Sequence, residues 1–117
     1  MSAADLPVVE LGPPVFEGGA RWTDLVALVQ DGGGPRTVVL TTLDAGGGTA
    51  WHRHAHEQVL VVVAGAGELE FRDRRRVLGP GDVVVVPPGL PHRHAAAPDQ
   101  AVTHVSVTAV GDLELLG

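Results

Sequence analysis

The chain has 117 residues and a formal net charge of −6, which predicts one small domain and argues against the clustered cations that nucleic-acid binding requires. It contains no cysteine, and all eight of its basic residues are arginine, so disulfides, thiolate metal ligands and Schiff-base catalysis by lysine are excluded. Only 3% of the residues are aromatic, and aliphatic side chains must therefore fill the core.

The chain begins with a segment of about 36 residues that precedes a predicted barrel over residues 37–110, and residues 1–117 together form one predicted domain. The first residues lack a cationic region followed by an apolar run, and no stretch approaches the roughly 20 apolar residues that span a bilayer. We therefore expect a cytoplasmic protein without membrane contact. The stretch Trp22–Gln30 fits either a short helix or a strand.

From residue 37 onwards, short apolar runs alternate with turns rich in glycine and proline, a pattern typical of an all-β sandwich or barrel. The runs cover residues 37–43, 58–63, 68–71, 83–86 and 102–110. No helical pattern follows any glycine-rich turn, so none of these turns predicts a phosphate-binding loop. An arginine cluster between two of the runs predicts a solvent-exposed hairpin turn; it consists of Arg72, Arg74, Arg75 and Arg76.

Two histidines beside a predicted strand have the spacing of metal ligands. His52 and His54 are two residues apart, so strand alternation directs both imidazoles to the same face. An alternative frame pairs His54 with His56 and takes Glu57 as a carboxylate ligand. We disfavour it because Glu57 has the wrong strand parity and because this frame breaks the glycine spacings on both sides. We expect His56 either at the rim of the site or next to the metal ligands without binding the metal.

Two further histidines are candidates for proton transfer. His94 follows His92 by two residues and should point in the same direction. His104 shares a strand face with Val102, Ser106 and Thr108, a pattern that fits either a pocket or an exposed, half-polar strand. An imidazole with an ordinary pKa of about 6.5 is a suitable general base beside a Lewis-acidic metal.

The spacing of these histidines relative to glycine and proline resembles the two motifs of the cupin family. Five residues separate Gly46 from His52, three separate His54 from Gln58, and six separate Gln58 from Gly65. In the second half, five residues separate Gly81 from Pro87-Pro88-Gly89, and His92 follows after two more. This resemblance implies a double-stranded jelly-roll β-barrel that holds one divalent transition metal. The implied ligands are His52, His54, Gln58 and His92.

In more detail the chain is similar to the small manganese-dependent bacterial hydroxynitrile lyases and to cupins named for their carboxymuconolactone decarboxylase neighbours. The resemblance rests on Ala50-Trp51-His52, Gln58, the second motif and Thr103-His104. It implies manganese as the first candidate, ahead of Fe, Ni, Co and Zn, and it implies that His94 and His104 are pocket residues. The chain departs from the subgroup at His56-Glu57 and at Arg93, and it shares with the subgroup Gln58, which replaces the usual glutamate of the wider family.

We expect a metal-dependent enzyme that acts on a small molecule. The leading hypothesis is a lyase of the hydroxynitrile-lyase or aldol-cleavage type, in which the metal is the Lewis acid and His94 or His104 is the general base. A dioxygenase or isomerase is the enzymatic alternative, since the same ligands accept several metals. A barrel that only binds or senses a small ligand is the non-enzymatic alternative. A homodimer is expected because the core is small, with the segment around residues 6–16 adding a strand to its neighbour.

Overall fold

The structure is a computed structural model that describes residues 15–17, 19–26, 36–109 and 111–117. In these ranges the chain forms strands that assemble into two antiparallel sheets. The strands are β1 (Val15–Glu17), β2 (Ala20–Val26), β3 (Arg36–Leu43), β4 (His52–His54), β5 (Gln58–Gly65), β6 (Gly67–Phe71), β7 (Arg75–Leu78), β8 (Val83–Val86), β9 (His92–Ala96), β10 (Val102–Ala109) and β11 (Leu113–Leu115). The all-β prediction is confirmed. Among the described residues no helix has the length and apolar character needed to cross a membrane.

Sheet A has the strand order β1-β2-β3-β10-β5-β8, and sheet B has the order β11-β4-β9-β6-β7. Strands that are distant in sequence are thus neighbours in space, as in a jelly roll. The five apolar runs all coincide with strands, whereas the short strands β4, β7, β9 and β11 were not predicted. The arginine turn is shorter than expected, because β7 already begins at Arg75.

The N-terminal segment extends sheet A of its own chain. Residues 22–26 belong to a strand and not to a helix, because β2 covers Ala20–Val26 and pairs with β3. The helical interpretation of Trp22–Gln30 is therefore wrong for these residues, and residues 27–30 lie outside the described ranges. Strand β1 forms a hairpin with β2. Residues 6–14 also lie outside the described ranges, and the addition of a strand to a neighbouring chain stays a prediction.

An aliphatic core fills the space between the sheets, as the composition predicts. Alternate residues of β5 and β10 face inward, which buries Leu60 and Val62 on β5 and Val102 on β10. Leu43 and Leu69 are also completely buried. These residues pack with Leu78, Val86 and Ala96 into one hydrophobic cluster.

A sharp corner joins β5 to β6 and fixes the register of both strands. Gly65 has a φ of +82°, the left-handed region that L side chains rarely adopt, and a Cβ at this position would overlap the carbonyl oxygen of Ala101. Only glycine fits this corner. The glycine spacing that follows Gln58 in the sequence therefore has a structural cause.

Candidate metal centre

Strands β4 and β9 bring the two histidine motifs together. His52 on β4 and His92 on β9 are directly paired across the strands, and their ring centroids are 4.4 Å apart. His54 lies on the same side of β4, with its ring 4.9 Å from that of His52 and 5.2 Å from that of His92. One nitrogen from each ring lies within 4.8 Å of the others. The three histidines form a cluster able to hold a metal ion.

Backbone carbonyls fix the orientation of two of these rings. The Nδ1 of His52 lies 2.7 Å from the carbonyl oxygen of Ala50, and the Nδ1 of His92 lies 2.8 Å from that of Leu90. Because a carbonyl can only accept, each Nδ1 carries the proton in these bonds. The lone pair of each neutral ring is then on Nε2. Such a partner for the second nitrogen is typical of metal-binding histidine.

Several buried atoms in this region that could bind a metal have no hydrogen-bond partner among the described residues. Among the described residues, the Nε2 atoms of His54 and His92 and the Oε1 of Gln58 are buried and make no hydrogen bond. An unsatisfied buried polar atom is costly, and a native site normally provides a partner. Gln58 begins β5 in sheet A, opposite the histidines of sheet B. A divalent cation between the sheets would satisfy these atoms, so the residues present fit a metal.

Burial keeps these histidines neutral. It lowers the pKa of His92 to about 4, against the opposing effect of its hydrogen bond to Leu90. Burial likewise lowers the pKa of His54 to about 4, with a smaller contribution from the charges of His52 and His92. The pKa of His52 is also lowered by burial. Neutral imidazole is the form that binds metals.

Two more histidines extend the cluster towards the core. His94 on β9 lies 5.1 Å from His92 and 5.4 Å from His52 between ring centroids. His104 reaches across from β10 in sheet A, and its ring lies 5.2 Å from that of His94. Both side chains are buried, which decides against an exposed position for His104. Their role in proton transfer stays a prediction.

A pocket of about 230 Å³ opens onto the cluster at His54 and Gln58. His56 lines its rim and is exposed, as expected, and it packs against Gly111, where an added Cβ would come within 2.6 Å of the imidazole. Glu57 is exposed and its carbonyl accepts a hydrogen bond from Thr108. The remaining wall consists of Thr37, Val39, Ala55, Thr108, Ala109, Gly111, Asp112 and Leu113.

The C-terminal part of this wall was missed by sequence reasoning. Strand β11 pairs with β4 so that Leu113 lies opposite His54, and the carbonyl of Asp112 accepts a hydrogen bond from the backbone of Ala55. No local sequence signal marks these residues, because their place in the site depends on this pairing. Arg93, the departure within the second motif, faces away from the cluster and lies 3.5 Å from Glu70.

Comparison with known proteins connects this architecture to a family. The chain is 44% identical over 68 residues to "(R)-mandelonitrile lyase" from Granulicella tundricola, a match that covers 56% of this chain and 51% of the relative. This chain thus spans about half the length of the curated relative that it matches.

Solved structures agree in fold. A cupin-like protein from Thermotoga maritima has a TM-score of 0.79 and 31% identity, and the match covers 95% of this chain and 89% of the other. The structure of KdgF from Halomonas sp. has a TM-score of 0.68 and 26% identity, covering 85% of this chain and 89% of that one. The model of the cupin domain family matches residues 39–108, which is more than half of the chain, and the chain therefore belongs to the cupin family.

Proposed function

We propose that this chain is a metal-dependent lyase that cleaves and forms a carbon–carbon bond at an oxygen-bearing carbon, with cyanohydrins as its first substrate class. The proposal depends on one observation: the three-histidine cluster contains buried atoms that could bind a metal and that make no hydrogen bond to the described residues. The similarity to a mandelonitrile lyase over 68 residues supports this reaction class.

The proposed metal ligands are the Nε2 atoms of His52, His54 and His92 and the Oε1 of Gln58. All four are neutral, so no carboxylate among the proposed ligands offsets the charge of a divalent cation. A bound ion would act as a Lewis acid towards a substrate oxygen. Imidazole and amide donors do not select one first-row metal, and manganese is proposed from the similarity to the lyases.

The proton of the substrate hydroxyl needs an acceptor, and we assign this role to His104 with His94 beside it. Burial lowers the pKa of His104 to about 4, so its ring is neutral near pH 7 and has a free lone pair. When the hydroxyl proton moves to the ring, the oxygen forms the carbonyl and the carbon–carbon bond breaks. Its electron pair leaves with the cyanide carbon, which then takes the proton, so the products are an aldehyde and hydrogen cyanide.

The pocket fits a small substrate. Its volume of about 230 Å³ is below the roughly 300–1,000 Å³ of typical drug-sized sites, and its aliphatic wall includes Val39, Ala55 and Leu113. It opens at the proposed ligands His54 and Gln58, so a substrate oxygen entering here would meet the proposed metal first. His94 and His104 do not line this pocket; they lie behind the ligands, on the core side of the cluster.

The test is turnover of (R)-mandelonitrile by manganese-loaded protein. Turnover is measured as the release of benzaldehyde, once under air and once under nitrogen. We expect cleavage that does not depend on oxygen and that falls roughly 100-fold or more in the H104Q variant, the usual loss when a general base is removed. The H52A variant should lose both metal and activity. Absence of turnover of cyanohydrins and aldol substrates by metal-loaded wild type would refute the proposal, and oxygen-dependent turnover would point to a dioxygenase.

A further inference from the structure

Strand β11 walls the proposed substrate pocket without being part of the hydrophobic core. It is the edge strand of sheet B, and each of its three residues is exposed. Backbone pairing with β4 and an ion pair of 2.6 Å between Arg53 and Glu114 hold it in place. None of its residues belongs to the hydrophobic cluster of the described part of the chain. Its side chains can therefore serve the pocket without being required for the barrel to fold.

Leu113 is the largest apolar side chain that lines this pocket. The other apolar members of the described wall are a valine, two alanines and a glycine. Leu113 lies directly opposite His54 in the register of β11 and β4, and side chains at such positions point to the same face with their Cβ atoms about 4.5–5.5 Å apart. It is nevertheless 52% exposed. Leu113 thus offers uncovered apolar surface beside a proposed metal ligand.

The geometry of the cluster determines where the rest of a bound substrate extends. His94 and His104 are buried on the core side of the proposed ligands, whereas the pocket opens at His54 and Gln58. A substrate whose oxygen binds the proposed metal therefore directs the substituent of its oxygen-bearing carbon away from the core and into the pocket. That substituent would meet the apolar part of the wall, which includes Leu113.

The charges of the wall favour an uncharged substituent. Among the described residues that line the pocket there is no arginine, and Asp112 is the only carboxylate. An anionic substituent would be repelled by Asp112, since like charges that line one small pocket destabilise each other. An apolar group would instead cover the exposed surface of Leu113 and remove it from water, which is favourable.

We infer that Leu113 is a specificity-determining residue that makes the site select an apolar substituent, aromatic or aliphatic, on the oxygen-bearing carbon. The inference rests on the proposed lyase function for the kind of substrate, but the recognition of an apolar group by Leu113 does not require turnover. The contact is present before the reaction as well as during it, so its removal should raise KM rather than lower kcat.

The first test compares two cyanohydrins that differ in the substituent: mandelonitrile carries a phenyl group, and acetaldehyde cyanohydrin carries a methyl group. In L113A the ratio of kcat/KM for mandelonitrile to that for the methyl compound should fall roughly tenfold, the lower end of the effect of one methylene in a hydrophobic pocket. L113M, which keeps the apolar volume, should retain the ratio. The matched control is L115A on the same strand, because Leu115 is 70% exposed and does not belong to the described wall.

The second test measures binding without catalysis, by titrating the zinc-loaded protein with benzyl alcohol and following its amide NMR signals. We expect the signals of the pocket wall to move, with a dissociation constant roughly tenfold higher in L113A than in wild type, L113M or L115A. The protection of the Ala55 amide, which donates to the carbonyl of Asp112, checks that β11 stays in place. If L113A loses this protection, L113T takes its place, because a β-branched residue favours the strand.

Three results would overturn the inference: equal binding of benzyl alcohol by L113A and L115A with β11 in place, no shift at the pocket wall in wild type, or an unchanged kcat/KM ratio in L113A. Failure of the proposed lyase function has a different signature. If neither cyanohydrin is turned over while L113A still binds benzyl alcohol more weakly than L115A, the lyase proposal fails and the role of Leu113 stands.

Discussion

At the scale of single residues, the candidate site depends on which atoms have partners and which do not. The Nδ1 atoms of His52 and His92 are occupied by backbone carbonyls, so the lone pairs of the two rings are on Nε2. Gln58 presents a buried Oε1 that makes no hydrogen bond to the described residues. A neutral amide at this position leaves the full charge of a bound cation to act on the substrate, whereas a carboxylate would partly offset it.

The substitution Gln58→Glu tests this role. A negative oxygen should bind a divalent cation more tightly than the amide, by roughly tenfold or more, and should lower turnover because the cation becomes less electrophilic. Competition with a chelating indicator measures the affinity. Gln100→Glu adds the same charge at an exposed position and should leave affinity unchanged. Equal affinity of Q58E and wild type would exclude Gln58 as a ligand.

At the scale of strands, the sequence predicted the long elements and the face of each histidine, but not the short strands. Runs such as 83–86 are apolar and lie between a glycine turn and a proline turn, and they are visible without tertiary information. Strands β4 and β9 read His-Arg-His at their start and carry little apolar signal. They exist because pairing with β6 and β11 holds them in place, and such pairing is not encoded locally.

The corner after β5 gives a stability prediction at this scale. Gly65→Ala forces a side chain into the left-handed region and against the carbonyl of Ala101, so we expect a loss of roughly 3 kcal/mol or more in the free energy of unfolding. Urea denaturation measures it. Gly79→Ala is the control, because no atom lies within 4 Å of a Cβ there. Equal stability of G65A and G79A would show that the corner is not constrained as described.

At the scale of the whole molecule, the site is a product of topology. The two histidine motifs are about 40 residues apart in sequence and meet because β4 and β9 are neighbours in sheet B. The motif spacing, through its resemblance to cupins, predicted this meeting. It did not predict that residues 111–113 would complete the pocket wall, because those residues contribute through a pairing that only the folded chain establishes.

The buried histidines also predict how the metal-free protein responds to acid. His104 has a pKa of about 4 when folded and 6.5 as its ordinary value, so between these values the unfolded chain binds more protons. Its contribution to stability is therefore complete above pH 6.5 and is lost as the pH falls to 4, by up to roughly 3 kcal/mol. His92 adds to the same trend.

Urea denaturation of chelator-treated protein between pH 4 and 7 measures this loss, and His104→Leu, which removes one of the titrating groups, should make the profile less steep than that of the wild type. The matched control is substitution of the exposed His56, which should preserve the wild-type slope. A pH-independent stability in wild type would mean that these rings are not buried in the neutral form.

The central claim is that three histidines from two distant segments hold one cation, and anomalous diffraction from crystals grown with manganese tests it most directly. We predict a single anomalous peak between the sheets, about 2.0–2.3 Å from the Nε2 atoms of His52, His54 and His92 and in contact with the Oε1 of Gln58. A peak elsewhere, or none at this cluster in protein with its fold intact, would contradict the account.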